Sequence, residues 1–294
     1  MKLSVKYSLP AAELLRRAQI EFDLFRCYPR MVDIRAAQEL APVHVHFPYR
    51  VGTGAGDAID GWTSRPVDWD RTKALLDETV TPHVNLHIGP LDSESLGFDP
   101  SSTGSSDLDM LSDRVLTDLQ PALRRFGGHR VVIENPGSSE IFLIMSPKLL
   151  RRVLRESGCG LLLAPSNARL AVQWLGTDLL EHIRALPTES TREIETVGVQ
   201  RVEGHWVTLA REAGIPEQDI EAVRGTLIGH LPMTETDWEL IAWTVGCVEK
   251  EDWGAPWALV LKYGGVEADH PDELLSNPKV MAEQVPRLRS LATG

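Results

Sequence analysis

What most restricts the fold of this chain is its punctuation: short β-rich runs alternate with helical stretches along its whole length. Eight runs read as strands, at 2–7, 22–28, 43–47, 83–88, 131–134, 160–164, 193–197 and 258–263. Each is too short for a helix and is bounded by Gly, Pro or polar residues. Between them, Ser146-Pro147 offers an N-cap and a first-turn proline. Leu149, Leu150, Val153 and Leu154 then form one apolar stripe ending near Gly158. Leu108, Leu111, Val115, Leu119, Leu123 and Phe126 recur at three- and four-residue steps, with Pro121 an expected kink. Shorter helices fit 10–19, 31–40 and 70–79, and Asn277-Pro278 starts a last one. Such alternation in 294 residues predicts one α/β domain, a (β/α)8 TIM barrel over 1–294. An open doubly wound sheet is the runner-up, but no GxGxxG follows the first strand and no P-loop occurs.

The long connections, at 48–69, 89–107 and 198–257, each follow a strand. In a barrel such loops crown the C-terminal face, where sites are built. The last reads as a long loop insertion and holds Trp206, Trp238, Trp243, Trp253 and Trp257. These tryptophans fit either a satellite core or a lid over a pocket. With 30 Lys+Arg against 42 Asp+Glu, the net charge of -12 repels nucleic acid. Cys27, Cys159 and Cys247 lie far apart with no CxxC pair, which favours a reducing compartment. Lys6, Pro10 and Glu13 break any signal-peptide core, and no apolar run approaches the roughly 20 residues of a membrane helix. The expectation is a cytoplasmic protein that acts on a small molecule.

Barrel strands buried on both faces should be apolar throughout, so polar residues at their ends need a reason. His46 closes the third run, His87 the fourth and Glu134-Asn135 the fifth, while Asn167 lies just past the sixth. Glu195 sits within the seventh, Lys262 within the eighth, and His230 in the connection before it. Singly, each has an ordinary structural reading: a satisfied core histidine, a paired carboxylate, a lysine reaching over a rim. Recurring at one end, they predict a functional mouth. Glu134, Glu195, Lys262 and His230 are the catalytic candidates; His46, His87, Asn135, Asn167 and Trp257 are the substrate-binding ones.

LHIGP at 86–90, IENPG at 133–137, LLLAPSNAR at 161–169, REIETVGVQ at 192–200, HLPMTETDWEL at 230–240 and PWALVLKYGG at 256–265 resemble successive blocks of xylose-isomerase-like TIM barrels. The resemblance runs from about residue 40 onward. It is nearest to a branch related to the multinuclear-iron oxygenases of methanobactin and thio-amino-acid biosynthesis. It implies two or three metal ions at the mouth, with His46, His87, Glu134 and His230 at matching ligand positions. Other positions depart from that pattern. Ala164, Ile228 and Lys262 stand where carboxylates are expected, Asn167 and Glu195 where histidines are, and His205 is an alternative for the latter. Three negative charges are lost and one positive charge gained, which argues against a multi-iron cluster.

Two chemistries remain open. One divalent ion (Zn, Mn or Fe) sits on His87, Glu134, Glu195 and His230. Alternatively no metal binds, and the Lys262 ammonium fills that space, paired with Glu134 or Glu195. The expected function is proton-transfer chemistry on a small polar metabolite, of isomerase, lyase or epimerase type. Glu134 or Glu195 is then the base, Lys262 the oxyanion stabiliser and His230 a second proton carrier. The competing reading is an inactive barrel that binds a metabolite or a partner protein in a biosynthetic pathway. Nothing in the sequence indicates the oligomeric state.

Overall fold

The computed structural model describes residues 1–89, 97–137, 139, 141–212, 214–250, 253–263 and 276–293. The end of the LHIGP block and the glycines closing PWALVLKYGG lie outside them. Twelve strands occur along the described chain: β1 (Lys2–Lys6), β2 (Leu24–Cys27), β3 (Val43–Val45), β4 (Tyr49–Val51), β5 (Ile59–Asp60), β6 (Val84–Ile88), β7 (Val131–Glu134), β8 (Gly160–Leu163), β9 (Thr191–Thr196), β10 (Gly198–Arg201), β11 (Leu227–Leu231) and β12 (Ala258–Leu261). Ten of them form one sheet in the order β3-β2-β1-β12-β9-β8-β7-β6-β4-β5. Its pairings are parallel except for β4 with β5. Parallel neighbours need crossovers, and helices between them supply these, so the fold is α/β.

The sheet is curled. Ion pairs join strands that are several places apart in the sheet order, such as Arg26 on β2 with Glu195 on β9. The stretch from Val43 to Val51 touches both ends of the curl. Its first half pairs with β2, its second half with β6. Between the halves, the Asn85 side chain substitutes for a ladder partner. It accepts from Phe47 N at 2.6 Å and donates to Phe47 O at 2.9 Å.

Period-two alternation sorts the strand residues onto two faces. Leu3, Val5, Phe25, Val45, Leu86, Ile133, Leu163, Ile194 and Leu261 join the main hydrophobic core with the helices. The intervening positions hold Ser4, Lys6, Arg26, His44, Asn85, Glu134, Glu193 and Glu195, all buried. The concave face is therefore polar, where the sequence reading expected apolar strands. On that face Val132, Leu162 and Ala164 form a small apolar cluster of their own.

Helix signals read from sequence correspond to Leu9–Arg16, Met31–Gln38, Trp69–Glu78, Ser105–Phe126, Pro147–Ser157 and Pro278–Thr293. Pro121 lies inside Ser105–Phe126, which continues past it. The 198–257 connection is not a plain loop. It holds the antiparallel β10–β11 pair and helices His205–Glu212, Glu217–Val223 and Glu235–Lys250. Trp238 and Trp253 are buried in the main core with Trp243 packed against it, so these three serve packing. Among the described residues no helix is long and apolar enough to cross a membrane.

Candidate active site

The strands are parallel, so their C-terminal ends share one side, and a cavity of about 570 Å³ opens there. His46, His87, Glu134, Asn167, His230 and Lys262 all line it. Lys262 lies just past β12, with Nζ 2.7 Å from Glu195 Oε1 and 3.5 Å from Glu134 Oε1. The other Glu195 oxygen faces Arg26 at 2.8 Å. The other Glu134 oxygen, Oε2, lies 3.3 Å from His87 Nδ1 and 3.8 Å from His46 Nε2, yet makes no hydrogen bond among the described residues. Two carboxylates and two cations thus balance in a buried chain, Arg26–Glu195–Lys262–Glu134.

Local structure fixes these groups. Helix Pro165–Leu175 starts on a proline directly after β8, which sets Asn167 in its first turn. Asn167 Nδ2 donates to Glu134 Oε1 at 2.8 Å and to Asn135 O at 2.9 Å. Asn135 in turn bridges the Ala164 backbone, accepting from its N at 2.7 Å and donating to its O at 3.0 Å. Asn85 Nδ2, oriented by Phe47, lies 3.2 Å from His46 Nε2 and 3.4 Å from His87 Nε2. His230, on β11, adopts the left-handed region at φ 64, and its Nδ1 is buried without a hydrogen-bond partner among the described residues. The hairpin that carries it closes tightly at Gly198, where a Cβ would stand 2.0 Å from Pro232 O. Asp237 anchors the insertion by accepting from Thr234 N at 2.8 Å and pairing with Arg169 at 2.6 Å.

A second polar layer lies deeper. Glu193 Oε2 is 2.7 Å from His83 Nε2 and accepts from Trp257 Nε1 at 3.2 Å, while His44 Nε2 stands 3.8 Å from Oε1. Ser4 Oγ lies 3.3 Å from His44 Nδ1.

Burial and charge set the protonation states. Burial opposes ionisation of Glu134, but Lys262, with His87, Arg26 and the Asn167 amide, more than offsets it and lowers its pKa. Glu195 is pushed up, chiefly by burial, despite Arg26 and Lys262. Burial also disfavours the Lys262 ammonium, yet Glu134 and Glu195 outweigh it and raise its pKa. His46 and His230 are lowered by burial first and by nearby cations second; His87 is lowered by burial, with Glu134 opposing and Lys262 and Arg26 adding to it, so all three imidazoles are neutral at pH 7. Burial likewise takes His44 down to about 4; at Glu193 burial pushes upward, but the His83 hydrogen bond together with the charges of His83, His44 and Arg26 brings it down to about 2.

The sequence candidates are thus sorted by place. Glu134, Lys262, His46, His87, Asn135, Asn167 and His230 meet at the cavity. Glu195 touches Lys262 but is not among the residues lining it. Trp257 is a correction: it precedes β12 and so sits at the N-terminal end of the strand, against Glu193 rather than at the mouth. Of the expected ion set of His87, Glu134, Glu195 and His230, only His87 and Glu134 belong to the compact group that could hold an ion. The compact group is His46, His87 and Glu134, whose ligand atoms lie within 4.8 Å of one another, whereas both Glu195 oxygens face cations. Arg26, His44, Asn85 and Glu193 were missed. All are polar residues at concave-face positions inside strands, and that shared parity was the available signal.

The donor set suits one divalent ion: two imidazoles and a carboxylate whose Oε2 is buried and unpartnered. The Lys262 ammonium stands 3.5 Å from Glu134, so any cation placed there meets a neighbouring positive charge. No family model matches the sequence, and neither does any curated protein.

Proposed function

We propose that this protein is an enzyme that moves a proton on a small polar metabolite, by isomerase, lyase or epimerase chemistry. The mouth of a closed (β/α)8 barrel of the xylose-isomerase-like kind is its site, and closure runs through Val43–Val51. The observation that carries the reading is the Lys262 ammonium, 2.7 Å from Glu195 and 3.5 Å from Glu134, beside the part-exposed imidazole of His87. Lys262 stays charged and stabilises negative charge that develops on a substrate oxygen. A lysine held as a permanent ammonium is a poor nucleophile, so Lys262 acts through its charge and not as a Schiff-base amine. Neutral His87 is the base, and the Glu134 carboxylate stabilises the imidazolium that forms. His230 carries the second proton, and Glu195 with Arg26 is a positioning residue for Lys262.

A panel of small hydroxy- and oxo-compounds, incubated in D2O and followed by proton NMR, tests this. The expected result is solvent exchange beside a carbonyl that slows about 100-fold or more in Glu134→Gln and His87→Gln. Wild-type exchange in a folded Glu134→Gln protein overturns the reading. A compound that saturates the cavity without reacting assigns the chain to metabolite binding instead.

A second reading, favoured by the unpartnered Glu134 Oε2, adds one Zn, Mn or Fe on His46, His87 and Glu134. When bound, the ion would polarise a substrate oxygen. Metal analysis separates the two readings: about one equivalent per chain, lost in Glu134→Gln, supports the ion.

A further inference from the structure

The cavity carries a second cationic group that proton transfer does not use. Arg50 on β4 pairs in register with His87 on β6 and lines the same cavity. Its positive charge adds to those that lower the His87 pKa. Among the described residues the Arg50 guanidinium has neither an ion pair nor a hydrogen bond. Every other ionised group at the cavity is paired: Lys262 holds both Glu195 and Glu134. In a chain of net charge -12, an arginine facing a cavity without a carboxylate partner is unusual.

A second unpaired donor lies beside it. Trp62 lines the cavity, and its Nε1 is buried without a hydrogen-bond partner among the described residues. Its ring is held edge-on against Tyr28, with centroids 5.2 Å apart. Gly61, which precedes Trp62 in the chain, packs against Arg50. A Cβ there would stand 2.4 Å from Pro48 O and 3.1 Å from Arg50 Nε, so only glycine lets the guanidinium lie against this backbone. Among the described residues no hydrogen bond joins Arg50 to the neighbouring imidazoles of His46 and His87.

We propose that the cavity binds a substrate carrying a carboxylate, gripped by the Arg50 guanidinium with the Trp62 indole N–H as second donor. A planar fork of N–H groups matches two carboxylate oxygens. The same fork also matches phosphate, so phosphate is the competing anion that the test must compare. Arg50 lies across from His87 in the parallel ladder, so a carboxylate on Arg50 sets the adjoining carbon toward that imidazole. The substrate class is therefore a small hydroxy- or oxo-carboxylic acid. The chemistry applied to it rests on the proton-transfer reading; the binding does not.

Titration calorimetry on EDTA-treated protein at constant ionic strength reads the binding alone, with malonate, malonamide and inorganic phosphate as probes. Malonate is expected to bind saturably, with malonamide and phosphate at least about tenfold weaker. Arg50→Gln should weaken malonate about tenfold or more, and Arg50→Lys, which keeps the charge but loses the fork, by less. Exposed Arg35→Gln removes the same charge elsewhere and should change nothing. If Arg50→Gln does not fold, Arg50→Lys and Trp62→Phe carry the comparison. Equal malonate affinity in these variants and wild type overturns the proposal. So does malonamide or phosphate binding as tightly as malonate, or no saturable heat up to tens of millimolar. Deuterium exchange in Glu134→Gln bears only on the proton-transfer reading, so the two failures are distinguishable.

Discussion

Lys262 is the residue on which the site turns, because a buried ammonium persists only where carboxylates surround it. Replacing it by Met leaves Glu195 with Arg26 alone and Glu134 without its closest cation. Lys262→Met is expected to cost about 3–5 kcal/mol in urea unfolding at pH 7. Adding Glu195→Gln removes the broken partner, so the double variant should lose at least ~1 kcal/mol less than the sum of the singles. Simple addition would mean that the 2.7 Å contact contributes nothing to the fold. The candidate residues legible in sequence were those at strand ends, where a polar group after an apolar run stands out. Arg26 and Glu193 lie inside runs that otherwise read as core, and their pairing partners are distant in sequence. Nothing local announces that Arg26 meets Glu195.

At the scale of elements, the seam at Phe47 depends on one side chain. Asn85 satisfies both backbone groups of a buried residue where the strand changes neighbours. Asn85→Ala leaves that N–H and C=O unpaired, each costing about 1–3 kcal/mol, and should lower the urea midpoint accordingly. Gly61→Ala is expected to be destabilising for a different reason, since its methyl meets the Pro48 carbonyl, and calorimetric unfolding would register it. Eight strands and most helices were legible because their apolar spacing and Pro or Gly boundaries are local properties. The β10–β11 pair was not. Its strands are short, part-exposed and separated by two helices, so neither period nor a hairpin turn marks them. The segment at 48–69, read as loop, hides β4 and β5 for the same reason.

Over the whole molecule, the polar concave face makes stability depend on acidity. The unfolded chain takes up protons at histidines near pH 6.5, whereas the folded chain keeps His44 neutral down to about 4. Stability therefore falls as pH drops from 6.5 towards 4, by roughly 3 kcal/mol from His44 alone. His46 and His230 act in the same direction. Glu193, with its pKa lowered from 4.5 to about 2, contributes stability that is present above 4.5 and lost as pH falls to 2. Urea midpoints at pH 7.5 and 5 should differ strongly in the wild type and less in His44→Asn. The sheet order has one more consequence, for biosynthesis. The first strand lies between β2 and β12, and Lys2 is in register with Ala258. A ribosome moving at about 5–20 residues per second makes that first strand wait on the order of 10–50 s for its second neighbour. Throughout that interval its free edge is open to other nascent chains, a burden that falls on whatever chaperone shields the emerging polypeptide.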